Sequence, residues 1–282
     1  MKKLVIVAGP TAVGKTAYAI SLARRHHTHI LSCDSRQFYT ELRIGVARPS
    51  DQELASAPHH FIACRSVRQP YNIFDYEADA IALVSRLFQD HDTVVAVGGS
   101  GLYIDALIHA PAVLPSPSPQ LRATLQQMPI EEKRHQLRLL DPDYYAVVDL
   151  RNPVRLQRAL EVCLTAGRPY SALLAEQKRR PRPFDIEVQV LSLPADQLRR
   201  RIDRRIDAMM ADGLLDEVRA LLPLRHLNTL NTVGYAELFD HLLGNCTLDQ
   251  AVRQIKLNTW HYARKQISWC HRYLAPDRRD DI

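Results

Sequence analysis

Several common signals are missing from this chain of 282 residues. Its five cysteines are scattered, with no Cys-x-x-Cys pair and no histidines at zinc-finger spacing, so we expect reduced thiols rather than zinc ligands. No stretch approaches the ~20 apolar residues of a membrane helix. The apolar run that begins at Leu4 is cut short by Gly9 and Pro10, which argues against a secretory signal. These absences predict a cytoplasmic protein that does not enter a membrane.

The composition is that of an ordinary folded protein. Hydrophobic residues make up 46% and charged residues 24% of the chain, without a disordered bias. The length allows one sizeable core and a smaller second unit. The net charge of +6 suits a polyanionic partner, although the location of the basic residues along the chain is more informative than their total.

A phosphate-binding loop stands near the start of the chain. Residues 9–16 read GPTAVGKT, directly after an apolar run and directly before a helix-forming segment. In such a loop, backbone N–H groups and the positive end of a helix point into one concavity, and the lysine adds a full charge. Thr16 is the expected magnesium or phosphate hydroxyl. The residues predicted to hold the phosphates are Gly9, Pro10, Thr11, Ala12, Val13, Gly14, Lys15 and Thr16.

The order of predicted elements indicates an α/β protein. Short apolar or β-branched runs bounded by polar residues predict strands at 4–8, 29–32, 60–62, 93–97 and 186–193. Helical patterns lie between most of them, including long helices predicted over 198–222 and 248–274. We therefore expect a mostly parallel sheet with helices on both faces.

Two proline-rich stretches bracket a helical segment in the middle of the chain. Residues 111–119 (PAVLPSPSP) and 180–184 (RPRPF) cannot form regular helix. Because a strand follows, we predict a core domain of residues 1–115 and 184–282 and a helical insertion domain of residues 116–183. Residues 120–182 carry 12 lysines and arginines against seven acids, which is most of the net charge.

The last predicted helix also concentrates basic residues. Residues 253–273 include five lysines and arginines and no acid, and Arg253, Lys256, Trp260 and Arg264 share one helical face. Such a face suits a nucleic-acid backbone and an unstacked base. A solvated helix surface explains it equally well.

Three strand ends are predicted to meet at one cleft. Ligands of parallel sheets bind outside the carboxyl ends of the strands. The phosphate loop follows the first strand, Asp34 follows the second, and Gly98-Gly99-Ser100 follows the fourth. Asp34 would face the phosphates and take part in the chemistry. The alternatives are that it caps a helix or that its carboxylate binds magnesium. The glycines allow close approach of a ligand beside the Ser100 hydroxyl, unless they form an ordinary strand-to-helix turn.

Nine segments follow one another in a fixed order over nearly the whole chain. They are GPTAVGKT (9–16), DSRQFY (34–39), GVARP (45–49), His59-His60, VGGSGLY (97–103), NPVRLQRALEV (152–162), RIDRRIDAMM (201–210), NTVGY (231–235) and YARKQISW (262–269). In combination, these motifs resemble those of the tRNA dimethylallyltransferases. The phosphate loop alone is shared by many families, whereas the ordered set is highly specific. The resemblance implies a P-loop NTPase-like core of the kinase-like type, with a helical insertion that grips the anticodon arm.

The resemblance also implies a reaction and its catalytic residues. A dimethylallyl group would pass from dimethylallyl diphosphate to the exocyclic amine of the adenosine 3′ of the anticodon, with Mg²⁺ and without nucleotide hydrolysis. Asp34 would accept a hydrogen bond or proton from the amine. Lys15, Thr16 and Mg²⁺ would neutralise the leaving diphosphate, with Arg205 of the RIxxR stretch as a further contact. Ser100 keeps a hydroxyl where relatives usually carry threonine.

The tRNA contacts implied by the resemblance fall into two regions. The target base must leave its stack to reach the cleft, where Asp34, Ser35, Arg36, Gln37 and Ser100 would line its pocket. Val154 departs from a common glutamine of the family. The expected partners are a tRNA anticodon stem-loop and dimethylallyl diphosphate, bound by a monomer without membrane contact. In the insertion, the implied contacts are Arg122, Val154, Arg155, Leu156, Gln157 and Arg158.

Three other functions fit part of the sequence. An adenylate isopentenyltransferase that makes cytokinin-type nucleotides shares the fold and chemistry, but it has little need for the basic insertion and the basic last helix. A small-molecule kinase would use the same loop for ATP, without support from the later motifs. A nucleic-acid-binding NTPase would lack the transferase chemistry.

Overall fold

A five-stranded parallel sheet organises the core of the protein. The computed structural model describes residues 2–69, 71–111, 113–176 and 181–273. The strands lie in the order β3-β2-β4-β1-β5, and every neighbouring pair is parallel, which confirms the predicted α/β class. Their bounds are β1 (Lys3–Ala8), β2 (Ile30–Ser32), β3 (His59–His60), β4 (Thr93–Val97) and β5 (Asp185–Val190).

The register of the central strands places the loops that follow them side by side. β1 and β4 are almost continuously apolar and buried, as expected for strands covered on both faces. Val7 of β1 pairs with Val97 of β4, and Ser32 of β2 pairs with the same Val97. The three strands therefore end at the same edge of the sheet.

Helices follow most strands and cover the sheet. In the described parts of the chain, none of them combines the length and the apolar character needed to cross a membrane. Their bounds are α1 (Lys15–Arg25), α2 (Asp51–Ser56), α3 (Ile73–Leu87), α4 (Gly101–Ile108), α5 (Pro119–Gln127), α6 (Ile130–Leu140), α7 (Pro142–Val147), α8 (Pro153–Ala166), α9 (Tyr170–Glu176), α10 (Ala195–Ala211), α11 (Leu214–Leu221), α12 (Tyr235–Leu242) and α13 (Leu248–Cys270).

The chain divides into two compact units. The larger unit comprises residues 1–109 and 182–282, with the sheet, α1–α4 and α10–α13. The smaller unit comprises residues 110–181, with α5–α9, where the sequence predicted an insertion over 116–183. The smaller unit has an apolar core of its own, built around Leu125, Leu137 and Leu160.

Several predicted limits of secondary structure are wrong. The helix predicted over 198–222 is two helices, because Gly213 between α10 and α11 adopts a φ of +97°, which glycine tolerates. β3 ends at His60 because Phe61 has a φ of +62°, and β5 ends at Val190 rather than at residue 193. α13 is followed by a 3₁₀ turn over His271–Tyr273; the predicted last residue of this helix, 274, lies outside the described residues.

Candidate active site

A cavity of about 860 Å³ opens at the edge of the sheet where β1, β2 and β4 end. Lys15 and Thr16 line it from the phosphate loop, Asp34 from the turn after β2, and Gly99 from the turn after β4. Arg205 of α10 lines the same cavity. The structure thus brings together the three loops that the sequence placed at one cleft.

The phosphate loop contributes only part of its length to the cavity wall. Thr11, Ala12, Gly14, Lys15 and Thr16 line the cavity. Gly9, Pro10 and Val13 do not, and their predicted contact with phosphates stays a prediction. The Val13 side chain packs in an apolar cluster. A Cβ atom at Gly9 would lie 2.5 Å from the carbonyl oxygen of Leu191, so glycine lets the loop pass the end of β5.

Two cations concentrate positive charge at the phosphate loop. The Lys15 ammonium donates to the carbonyl oxygen of Pro10 at 2.7 Å, and Arg205 Nη1 donates to Thr11 Oγ1 at 3.0 Å. Withdrawal from water and, as a smaller cause, the charge of Arg205 together lower the pKa of Lys15 to about 8, against the opposing effect of Asp34. Two partly desolvated cations held together favour the binding of a polyanion.

Asp34 lies in a turn that its own side chain stabilises. Its Oδ1 accepts a hydrogen bond from the backbone N–H of Arg36 at 2.9 Å. The alternative of a helix cap is wrong, because the next helix, α2, begins only at Asp51. Gln37 Nε2 donates to the carbonyl oxygens of Val46 and Ala47 at 3.3 and 3.1 Å, tying this turn to the GVARP segment. All four residues of the 34–37 turn line the cavity.

Ser100 lies against the 34–37 turn. It is 7% exposed and is not part of the cavity wall. Its Oγ accepts a hydrogen bond from the Ser35 backbone N–H at 3.2 Å and donates to Ser35 Oγ at 3.4 Å. Ser100 therefore supports this turn, and it also shares a hydrogen bond with Tyr262, which lines the cavity; its predicted part in catalysis stays a prediction.

Two residues of α13 belong to the site and were not among the predicted site residues. Gln266 is 7% exposed; its Oε1 accepts from the Thr11 backbone N–H and its Nε2 donates to the Gly99 carbonyl oxygen, both at 2.8 Å. Tyr262, one turn earlier, lines the cavity. Burial raises the pKa of its phenol to about 12, and the charge of Asp34 adds to the rise.

The basic face of α13 has partners within the larger unit. Lys256 Nζ forms an ion pair with Asp207 Oδ1 at 2.6 Å. The Arg199 guanidinium lies 5.5 Å from the centre of the Trp260 ring. At these two positions the structure favours an intramolecular role over a nucleic-acid surface.

A buried carboxylate gathers predicted tRNA contacts in the smaller unit. Arg122 Nε and Arg158 Nη1 lie 3.6 and 3.4 Å from the two carboxylate oxygens of Glu161. Gln157 Nε2 donates to Glu161 Oε1 at 3.1 Å. The Glu161 side chain is only 7% exposed, whereas that of Arg122 is 58% exposed. We refer to Arg122, Gln157, Arg158 and Glu161 as the α8 cluster.

One residue of the smaller unit that was assigned to the tRNA surface is buried. Leu156 is fully buried in the apolar core of the smaller unit, so its side chain cannot contact tRNA as predicted. Val154 is 74% exposed, and Arg155 is exposed as well. Lys133, which counts toward the basic charge of this segment, is 4% exposed. The basic residues at 178–180 lie outside the described residues.

Arg182 belongs to the larger unit, although it was counted with the basic segment. Its Nη1 forms an ion pair with Glu77 at 2.7 Å, and its side chain is 9% exposed. Its Nε and Nη2 donate to the carbonyl oxygens of Leu107 and Ala106. Arg182 thus fixes the return of the chain toward β5 and is not part of an exposed basic surface.

Comparison with known proteins identifies close relatives in sequence. The family model for IPP transferase matches residues 37–273. A tRNA dimethylallyltransferase 1 of Phocaeicola vulgatus is 41% identical over 288 residues, covering 99% of this chain and 96% of that protein. A tRNA dimethylallyltransferase 1 of Bacteroides thetaiotaomicron is 44% identical over 291 residues, covering 100% and 94%.

Solved structures share the fold. The full-length tRNA isopentenylpyrophosphate transferase of Bacillus halodurans superposes with a TM-score of 0.70 and 30% identity, covering 95% of this chain and 86% of that one. A eukaryotic dimethylallyltransferase acting on tRNA has a TM-score of 0.82 at 24% identity, covering 96% and 70%. The resemblance seen in the motifs is confirmed, and the chain belongs to the IPP transferase family.

Proposed function

We propose that this chain transfers the dimethylallyl group of dimethylallyl diphosphate to N6 of the adenosine on the 3′ side of the anticodon in tRNA. The observation that carries the proposal is the convergence of Lys15, Arg205 and Asp34 on one cavity. The names of the relatives agree with a tRNA dimethylallyltransferase. They do not favour an adenylate transferase, a kinase or an NTPase.

The cations of the phosphate loop suit a diphosphate leaving group. When the bond between the allylic carbon and the diphosphate oxygen breaks, its electron pair stays on that oxygen. Lys15, Arg205 and the loop N–H groups would stabilise this charge, since donors fixed in a cavity need little reorganisation. The loop therefore serves carbon–oxygen cleavage rather than phosphoryl transfer.

Asp34 is suited to activate the acceptor amine. The N6 lone pair of adenine is delocalised into the ring, which makes the amine a poor nucleophile. Asp34 would accept a hydrogen bond from the amine and take its proton as the carbon–nitrogen bond forms, before passing that proton to solvent. General-base help of this kind is typically worth ~10²- to 10⁴-fold in rate. The base must first be extruded from its stack to reach the cavity.

The residues around the phosphate loop fit a Mg²⁺ ion. Thr16 and Asp34 both line the cavity and offer a hydroxyl and a carboxylate. Among the described residues, no group of three histidines, cysteines or acids could hold a metal, and Mg²⁺ is commonly held by few protein groups together with substrate phosphates. We propose Thr16 as a ligand; the ion would supply charge neutralisation at the diphosphate.

The exposed arginines of the smaller unit are proposed to contact the anticodon arm. Arg122 and Arg155 are exposed there, and phosphate contacts by arginine position an RNA without reading its sequence. A monomer that binds one tRNA in the cytoplasm is the simplest assembly. Sedimentation of the protein with and without equimolar tRNA checks this stoichiometry.

Substitution of Asp34 tests the proposed reaction. Asp34→Asn keeps an oxygen to accept from the Arg36 N–H but removes the charge and the base. We expect transfer to fall by about 10²- to 10⁴-fold, with tRNA and donor binding largely kept. Mass analysis of tRNA nucleosides and filter binding measure the two effects, and Asp34→Ala shows the added cost of losing the turn. A variant that transfers at the unsubstituted rate would remove Asp34 from the mechanism.

A further inference from the structure

We infer that Gln266 is a positioning residue that fixes the distance between the donor side and the acceptor side of the active site. The inference rests on the proposed function. On the donor side, its Oε1 accepts from the backbone N–H of Thr11 in the phosphate loop. On the acceptor side, its Nε2 donates to the carbonyl oxygen of Gly99, in the turn after β4. One side chain, more than 150 residues along the chain from either loop, therefore ties both together.

Only a primary carboxamide of this length satisfies both contacts. The Thr11 N–H can only donate and the Gly99 carbonyl can only accept, so the orientation of the Gln266 amide is determined by its partners. Glutamate would lack the donor and would place a carboxylate against a carbonyl oxygen. Gln266 is 7% exposed, so water does not readily replace a lost partner.

The backbone at residue 99 is adapted to this contact. A Cβ atom at Gly99 would lie 2.1 Å from Gln266 Nε2, closer than any real contact allows. Glycine is therefore required if the amide is to reach the Gly99 carbonyl. This requirement gives the second glycine of GGSG a reason that a simple strand-to-helix turn does not supply.

The helix that carries Gln266 is anchored beside it. Trp269 Nε1 donates to Asp105 Oδ2 of α4 at 3.0 Å. The Trp269 ring also packs on the start of α4, where a Cβ at Gly101 would lie 2.5 Å from Trp269 Cδ1. These contacts hold this end of α13 at a fixed distance from the turn, as a supporting shell requires.

The contacts continue from Gly99 to the proposed base. Ser100 accepts from the backbone N–H of Ser35, which is adjacent to Asp34. A continuous series of contacts thus joins the phosphate loop to Asp34 through Gln266, Gly99, Ser100 and Ser35. Loss of these contacts would leave each loop able to bind its own substrate. It would change the distance between the allylic carbon of the donor and the amine of the acceptor, between which the new bond forms. Misplacement by about 1 Å can cost about 10²-fold in rate.

The test compares Gln266→Ala, Gln266→Glu and Gly99→Ala with the unsubstituted protein. The rate of single-turnover prenyl transfer at saturating donor and tRNA should fall by about 10²-fold in each variant. For Gln266→Ala, the dissociation constants of the donor and of tRNA should stay within about twofold of those of the unsubstituted protein. Gln197→Ala, an exposed glutamine of α10, is the matched control and should transfer normally. A parallel fall in thermal midpoint, donor binding and tRNA binding would show a merely structural role and overturn the inference.

A double substitution gives a readout that a packing role would not produce. If Gln266 and Gly99 act only through each other, Gly99→Ala/Gln266→Ala should be no slower than either single variant, because the contact can be lost only once. Additive losses would contradict the inference. If Gln266→Ala does not fold, Gln266→Glu and Gly99→Ala decide the question. An unsubstituted protein that transfers no prenyl group to tRNA refutes the proposed function instead, whereas full activity in these variants refutes only the role of Gln266.

Discussion

Lys15 is the residue whose protonation should couple most strongly to ligand binding. Its pKa is lowered from 10.5 to about 8, first by withdrawal from water and then by Arg205. In the ligand-free protein, the charged lysine therefore costs stability below about pH 8, and this cost is relieved as the pH rises toward 10.5. A bound diphosphate reverses the balance, because a nearby polyanion favours the protonated ammonium.

We therefore expect diphosphate binding to take up a proton at alkaline pH. Near pH 7, Lys15 is already charged and contributes no uptake. Near pH 9, above its free pKa of about 8, binding should recharge it, and affinity should fall as the pH rises. Calorimetry in two buffers of different ionisation enthalpy measures the uptake at each pH.

Lys15→Arg is the control for this titration, since a guanidinium stays charged throughout. The uptake attributed to Lys15 should disappear in this variant even if affinity changes. Equal uptake by both proteins at alkaline pH would assign the proton to another group, such as the ligand.

At the scale of elements, the α8 cluster joins α5 to α8, and Lys133 connects it to α6. Glu161 and Gln157 lie on α8, Arg122 on α5, and Lys133 Nζ of α6 donates to Gln157 Oε1 at 3.4 Å. Lys133 is 4% exposed, so its charge needs a compensating anion nearby. The nearest such anion along its hydrogen bonds is Glu161, which accepts from the Nε2 of the same Gln157 amide and is itself ion-paired with Arg122 and Arg158.

Removal of the Glu161 charge should destabilise the smaller unit. Glu161→Gln keeps much of the shape but leaves Arg122 and Arg158 without their shared carboxylate and the nearby buried Lys133 without a neighbouring anion, and we expect a loss of about 1–3 kcal/mol in the free energy of unfolding. Lys133→Met in the same chain should recover part of the loss. Urea unfolding of the two single variants and the double variant measures this coupling. Strictly additive effects would show that Lys133 does not depend on Glu161.

The elements that the sequence predicts well are those determined by local pattern. β1 and β4 are nearly continuous apolar runs and were predicted at 4–8 and 93–97, close to the observed Lys3–Ala8 and Thr93–Val97. The break at Gly213 was missed because the apolar spacing continues across it from α10 into α11. Glycine in the left-handed region was the signal that marked this boundary.

The parts of the site that were missed depend on contacts distant in sequence. Gln266 and Thr11 are joined by a hydrogen bond across 255 residues, which no local pattern specifies. A weak signal existed, because Gln266 is a polar residue on the same face as the buried Ala263 and Cys270. Leu156 was assigned to tRNA from a motif, although its spacing from the apolar Leu160 pointed to the core.

At the scale of the whole molecule, the proposed donor contacts lie in the larger unit, whereas the proposed tRNA contacts lie in both units. The phosphate loop, Asp34 and Arg205 all belong to the larger unit. Residues 110–181 contain 11 lysines and arginines against seven acids. Binding of the small donor should depend on a few half-buried cations, whereas binding of tRNA should depend on exposed charge and hence strongly on salt.

Reversal of one exposed charge in the smaller unit should change the salt dependence of tRNA binding without changing the affinity for the donor. Arg155 is the better choice than Arg158, because a carboxylate at 158 would face Glu161. Arg155→Glu should weaken tRNA binding and reduce the slope of log K against log salt by about 1, with donor affinity unchanged. Fluorescence titrations of tRNA and donor across a salt series measure both affinities.

Arg25→Glu is the matched control for this prediction. Arg25 is exposed at the end of α1 in the larger unit, and its reversal should leave the slope unaltered. An equal loss of donor and tRNA affinity in Arg155→Glu would indicate misfolding, and an unchanged slope would remove Arg155 from the tRNA surface.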